Sequence, residues 1–281
     1  MTDQDIPGVN KLPAARGLAW FSGSWALVRM QPLRLLLISL FLQFFLSLAQ
    51  AGPLGLLVIL CLPVLSAGML HALFTVERGN KPVLATLFIP FTATKNLSKL
   101  LLLGAVVMLL GFLVITLLMS GQLVNIDAEV LSRIEQGDID ALQLIDPQIM
   151  KNAIFAMVIG ATVSGSITYF AVPLIWFHKQ PVGRSIMLGL TALARNWQPL
   201  LVVGLLLGLL AVPIGLLFSY FYLTALSGGT ASSVLAFLIL LLGPIFQLML
   251  FGTQYLAFRD IYGLGAGAKT DNKTGKDQLV A

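Results

Sequence analysis

The chain has 281 residues, 58% of them hydrophobic and only 10% charged, with a mean hydropathy of +0.93. A soluble domain is about a quarter charged and about half apolar, so this apolar surplus needs lipid as its solvent. A soluble enzyme, a disordered chain, a disulfide scaffold and a fibrous repeat are excluded. The charge of +5 and the pI near 9.5 would suit nucleic acid, but the placement of the bases gives them another role.

The first residues, MTDQDIPGVNKLPAARG, carry acids near the start, and no long apolar run follows for about thirty residues. A secretory signal has a basic start and a short apolar stretch soon after, so the first apolar segment is expected to stay in the mature protein. Residues 1–13 and 264–281 are expected to be disordered cytoplasmic ends, flanking a membrane domain over 14–263.

A membrane-crossing helix needs about 20 mostly apolar residues. Six stretches meet that length: Leu33–Ala51, Leu54–Val76, Leu100–Leu123, Ala153–Phe177, Leu200–Tyr222 and Val234–Phe258. None holds an acid, and Arg34 is the only base, at the entrance of the first. In lipid a spanning segment is a helix or a barrel strand, and barrel strands alternate apolar and polar residues. These runs do not alternate, so an all-α fold with six spans is expected.

Lys and Arg are enriched in short cytoplasmic segments. The two ends and the segments 77–99 and 178–199 hold 15 of the 17 bases, for a net +9. The opposite side has Arg133 and Lys151 against six acids, a net −4. Both ends are therefore expected in the cytoplasm. The bases mark topology, and no nucleic-acid partner is expected.

The chain also reads as three tandem units, at about 14–79, 81–180 and 181–263. Each pairs a cytoplasmic interfacial helix with two spans. The first such helix would place Ala14, Leu18, Phe21, Trp25 and Val28 on one face, and the third Val182, Ile186, Leu190, Leu193 and Trp197. The second, Val83–Leu97, should be kinked by Pro90. Lys95-Asn96 precedes Leu100-Leu101 and Gly104 as Arg195-Asn196 precedes Leu200-Leu201 and Gly204. Pro63 and Pro244 stand 15 residues before Arg78 and Arg259. All three units run in one direction, unlike the inverted repeats of many transporters.

Small residues let helices approach in lipid. Gly204, Gly208, Ala211 and Gly215 form one face of span five. Ala156, Gly160, Ser164 and Thr168 do so in span four, and the two faces are expected to pack together. Pro63, Pro173, Pro213 and Pro244 lie within spans. Gln43 and Gln247 read as interhelical glue, and His71 as a histidine bonded to a neighbouring helix or to headgroup water. The outer acidic loop at 125–152 offers helix caps at Asp127, Asp138 and Asp146. Its carboxylates lack calcium-loop spacing and read as a solvated face. Cys61 reads as a small buried hydrophobe.

No phosphate-cradling G-x-x-x-x-G-K-[ST] run, clustered zinc ligands or G-x-S-x-G elbow occurs. No catalytic residue, cofactor or metal is expected. The stretches GLAWFSGSWALVRMQPLRLLL, LPVLSAGML and LARNWQPLL resemble an uncharacterised family of six-span bacterial inner-membrane proteins. The layout is also distantly similar to the membrane domain of glycerophosphodiester phosphodiesterases. The resemblance implies a bacterial inner membrane and an all-helical fold, and it carries over no catalytic residue.

The expected function is non-enzymatic. Interfacial helices with Trp20, Trp25 and Trp197 near bases would bind anionic lipid or a membrane partner, with Arg29, Lys95 and Arg195 as first headgroup contacts. No particular protein partner is indicated. The alternatives are a transporter or exporter subunit for an apolar or neutral solute, suggested by the span prolines, and an assembly factor for other membrane proteins.

Overall fold

A computed structural model describes residues 8–48, 53–121, 128–136, 141, 144–226 and 233–263. Among them the fold is all-α. In chain order come α1 (Ala15–Met30), α2 (Pro32–Leu48), α3 (Pro53–Glu77), a 3₁₀ turn (Leu84–Phe88), α4 (Ile89–Thr92) and α5 (Thr94–Met119). Then follow α6 (Ala128–Glu135), α7 (Pro147–His178), α8 (Val182–Arg195), α9 (Trp197–Leu226) and α10 (Ser233–Tyr262).

Five helices, α3, α5, α7, α9 and α10, are long and apolar enough to cross a membrane. The pair α1–α2 qualifies only as one broken span, bent by 104°. Pro32 causes that break, because a proline pushes the residue before it out of helical geometry. Gln31 accordingly sits at φ −142° and ψ 59°. The first expected span coincides with α2 up to Leu48, and 49–51 lie outside the described residues.

Local chemistry sets the other boundaries. Asp146 accepts a hydrogen bond from the Gln148 amide at 2.7 Å, with Pro147 in the first turn of α7, the capping arrangement read from the sequence. The caps expected at Asp127 and Asp138 lie outside the described residues. Gly79, at φ +76°, ends α3 in a conformation that suits glycine. Pro90 differs from its expectation. Instead of kinking one long helix, it occupies the first turn of the short α4, and the chain breaks again at Ala93.

Three helices, α3, α7 and α10, touch one another at the centre, and α2, α5 and α9 lie outside them. The element before each outer helix packs on a pair of neighbouring helices. The 3₁₀ turn lies on α2 and α3, α8 lies on α5 and α7, and α1 closes the circle on α9 and α10. These crossings are close. A Cβ at Gly68 would fall within 3.0 Å of the Leu87 carbonyl, and one at Gly104 or Gly17 equally near the Leu60 or Pro199 carbonyl.

The buried faces of α1 and α8 differ from the apolar stripes read for interfacial helices and share only Val28 and Val182 with them. Gly17, Trp20, Ser24, Leu27 and Val28 are buried in α1, while Leu18 and Trp25 are exposed. In α8 the buried residues are Val182, Ser185, Gly189 and Ala192, with Leu190 and Trp197 outside. In α8 small residues make the contact because the helices come so close; a Cβ on Gly189 would sit 3.3 Å from the Phe170 Cβ. Of the stripe residues, Leu18, Trp25 and Leu190 face outward, while Phe21, Ile186 and Leu193 are partly buried against the core.

Spans four and five also differ from expectation. The small face of α7 packs on α5, where a Cβ on Gly160 would lie 3.5 Å from Ile115 Cγ1 and one on Gly111 3.4 Å from Ser164 Oγ. The α9 stripe of Gly204, Gly208, Ala211 and Gly215 is uncovered: among the described residues, a Cβ at any of the three glycines meets nothing within 4 Å. After the break at Asn196, α9 packs on α1 and α10 rather than on α7.

Candidate functional site

The helix ends that carry the bases are laced together by hydrogen bonds. At the centre stands Glu77, the last residue of α3. It accepts from the Tyr255 hydroxyl and from Arg259 Nη1, both on α10. Arg259 also donates to Asp260 Oδ1 at 3.2 Å. The other Asp260 oxygen accepts from Trp20 Nε1 at 2.8 Å and from Arg16 Nε at 2.9 Å. The Asp260 side chain is only 10% exposed; a carboxylate so enclosed needs this many donors.

The same end is bound to the chain's N-terminal segment. The Asn10 amide donates to the Ile261 carbonyl at 3.1 Å. Asn196, fully buried, accepts from the Leu12 amide at 2.8 Å and donates to the Asn10 carbonyl at 2.9 Å. These bonds join the first and last parts of the bundle. Sequence reasoning counted Glu77 and Asp260 only as loop charges. The available signal was an acid beside a base, Glu77-Arg78 and Arg259-Asp260, each at the end of a span.

Arg29 lies in the last turn of α1, Lys95 in the first turn of α5 and Arg195 in the last turn of α8. All three are exposed, and none forms an ion pair among the described residues. They sit at three separate junctions rather than in one pocket.

The polar residues at depth join helices. The Ser39 hydroxyl donates to Gln247 Oε1 at 2.6 Å, Gln254 Nε2 donates to the Tyr169 carbonyl at 2.7 Å, and Ser24 Oγ donates to the Met249 carbonyl at 3.1 Å. Gln43 lies against Gly243. His71 Nδ1 accepts from Trp176 Nε1 at 3.4 Å, with the rings edge-on. These contacts are those of interhelical glue.

A groove of about 570 Å³ runs along the outside of α2 beside residues 82–84. Its lining is apolar except for Arg34, whose Nη1 donates to the Pro82 carbonyl at 3.3 Å. A second groove, about 440 Å³, lies at the α8–α9 bend around Leu193, Trp197 and Gly204, and its lining holds no charge.

No family model, curated protein or solved structure matches this chain. The fold and the lengths of its apolar helices define a polytopic helical membrane protein, and the family resemblance adds nothing further to that class.

Proposed function

We propose that this protein is a non-catalytic, multi-pass component of a bacterial inner membrane that binds anionic lipid through its basic, cytoplasmic end. One observation carries the reading: Arg29, Lys95 and Arg195 are exposed at three junctions, with no ion-pair partner among the described residues. Acids are present at this end, yet Glu77 and Asp260 pair with Arg259 and Arg16, leaving the three bases for an external anion. Each base near an anionic surface contributes about 1 kcal/mol. The outward Trp25 and Trp197 suit the membrane interface, where aromatic rings are enriched.

The circular packing of α1 on α9 and α10, of the 3₁₀ turn on α2 and α3 and of α8 on α5 and α7 supports three like units. It also supports cytoplasmic ends held together by the Asn10–Ile261 bond.

The test is native mass spectrometry of protein released from liposomes containing phosphatidylglycerol. Joint replacement of Arg29, Lys95 and Arg195 by Gln should remove most anionic-lipid adducts while phosphatidylethanolamine adducts persist. Unchanged anionic adducts would remove the lipid reading.

A further inference from the structure

We infer that the α2 groove is a binding site for one anionic phospholipid, with its phosphate on Arg34 and an acyl chain along Leu37, Phe41 and Phe44. This inference rests on the lipid reading above and adds a defined site that the three junction bases do not form.

Three observations support it. First, the groove has one charged residue, and that residue stands at its end. Arg34 spends one Nη1 bond on the Pro82 carbonyl, and a guanidinium has five N–H donors, so most of its donors remain for a phosphate. Second, the length fits a single leaflet. Arg34 and Phe44 lie on one helix ten residues apart, about 15 Å at 1.5 Å per residue; half of a bilayer's hydrocarbon core is also about 15 Å. Third, the walls are apolar and already positioned. Leu37 and Phe44 are exposed to the groove side. Phe41 is held by edge contacts to Phe45 and Phe88, with ring centroids at 5.6 and 6.1 Å. Val83 completes the opposite wall. An extended peptide would leave its backbone polar groups facing these walls unpaired, whereas an acyl chain has none; a partner helix pairs its own backbone and is separated from lipid by the protein–protein crosslinks below. The groove at the α8–α9 bend has no charged lining residue and serves as the internal control.

The experiment uses full-length protein in liposomes carrying phosphatidylglycerol with a diazirine on its acyl chain, with crosslinks located by peptide mass spectrometry. Wild-type protein should crosslink at Leu37, Phe41, Phe44 or Val83. Arg34→Gln should lower that yield about five-fold, the effect of one interfacial cation. Arg34→Lys should recover part of it, and Leu37→Trp should block it while Arg34 remains. Crosslinks around Trp197 should not change in any of these variants, which also reports that the variants are folded. Joint replacement of Arg29, Lys95 and Arg195 should spare the groove crosslink.

The inference is overturned if Arg34→Gln leaves the yield unchanged, if phosphatidylcholine carrying the same diazirine labels the groove equally, or if the groove is covered by a second copy of the chain in protein–protein crosslinks. Should only the Arg34 variant lack effect, the groove fails and the general lipid reading stands. Should the triple variant also keep its anionic adducts, both fail.

Discussion

The two ends of the bundle are built differently. At the basic end, α3 is buried almost continuously from Val64 to Val76, α7 from Phe170 to Ile175, and α10 from Leu248 to Phe258. Toward the other end, Leu109, Phe112, Leu117, Ile154, Phe155, Leu209 and Leu216 are all exposed. Hydropathy does not account for this. Among the five candidate spans, α5 and α9 are the most apolar, yet only 17% and 11% of their apolar stretches are buried, while the Leu241–Tyr262 stretch of α10, the least apolar of the five, is 67% buried. In lipid, greasy side chains gain nothing from facing protein, so association depends on close approach and hydrogen bonds. The core of this protein forms where Gly68, Gly104 and Gly252 allow contact and where Ser39, Gln247 and Glu77 find partners.

The strongest way to break that contrast is to add one methyl group at each end. Gly68→Ala and Gly104→Ala place a carbon against a backbone carbonyl and should destabilise by about 3 kcal/mol, the upper range for overpacking. Gly208→Ala meets open space and should be neutral or slightly stabilising, by up to about 1 kcal/mol from helix propensity. Thermal unfolding in one detergent compares them directly; equal losses at both ends would contradict the asymmetry.

A smaller effect comes from the charge lacing. Glu77→Gln weakens the acceptor for Arg259 and Tyr255 and should cost about 2 kcal/mol, typical of hydrogen bonds to charged groups. Asp260→Asn should cost about 1 kcal/mol, discounted because Arg16 is nearly half exposed. It should also increase protease cleavage near Arg16, since the first helix loses its tether; unchanged cleavage would show that α1 is held by packing alone. The smallest effect is expected at Ser39→Ala, about 0.6 kcal/mol, the usual value for one hydrogen bond between membrane helices. A loss above about 2 kcal/mol would mean that the Ser39–Gln247 bond governs the α2–α10 contact rather than adding to it.

The helical class and five of the six span positions were legible because unbroken apolar runs of membrane length have few other solutions; the first expected span reaches that length only together with α1, across the break at Gln31. The Asp146-Pro147 start of α7 was legible because capping is local. Packing partners were not. The glycine face of α9 has the spacing of an interface, yet after the break at Asn196 that helix packs on α1 and α10. In α1 and α8 the apolar periodicity marked the helix but did not show which face meets protein: Leu18, Trp25 and Leu190 stay outside while Trp20, Ser24, Ser185 and Gly189 are buried. The Glu77–Arg259 pair joins residues 182 positions apart, and no local pattern carries such a pairing. The expected headgroup residues Arg29, Lys95 and Arg195 lie exposed at helix ends. Arg34, noticed only as the base at a span's entrance, is the one set in a groove.

The contrast between the two ends is tested most directly by labelling the unmodified protein in liposomes with a lipid-soluble photoreactive carbene source and mapping the modified residues. Label should concentrate at Leu205–Leu216 of α9, Leu109–Leu118 of α5 and Ile154–Val158 of α7, and be sparse over Val64–Val76 and Leu248–Phe258. Label on α10 as dense as that on α9 would contradict the account.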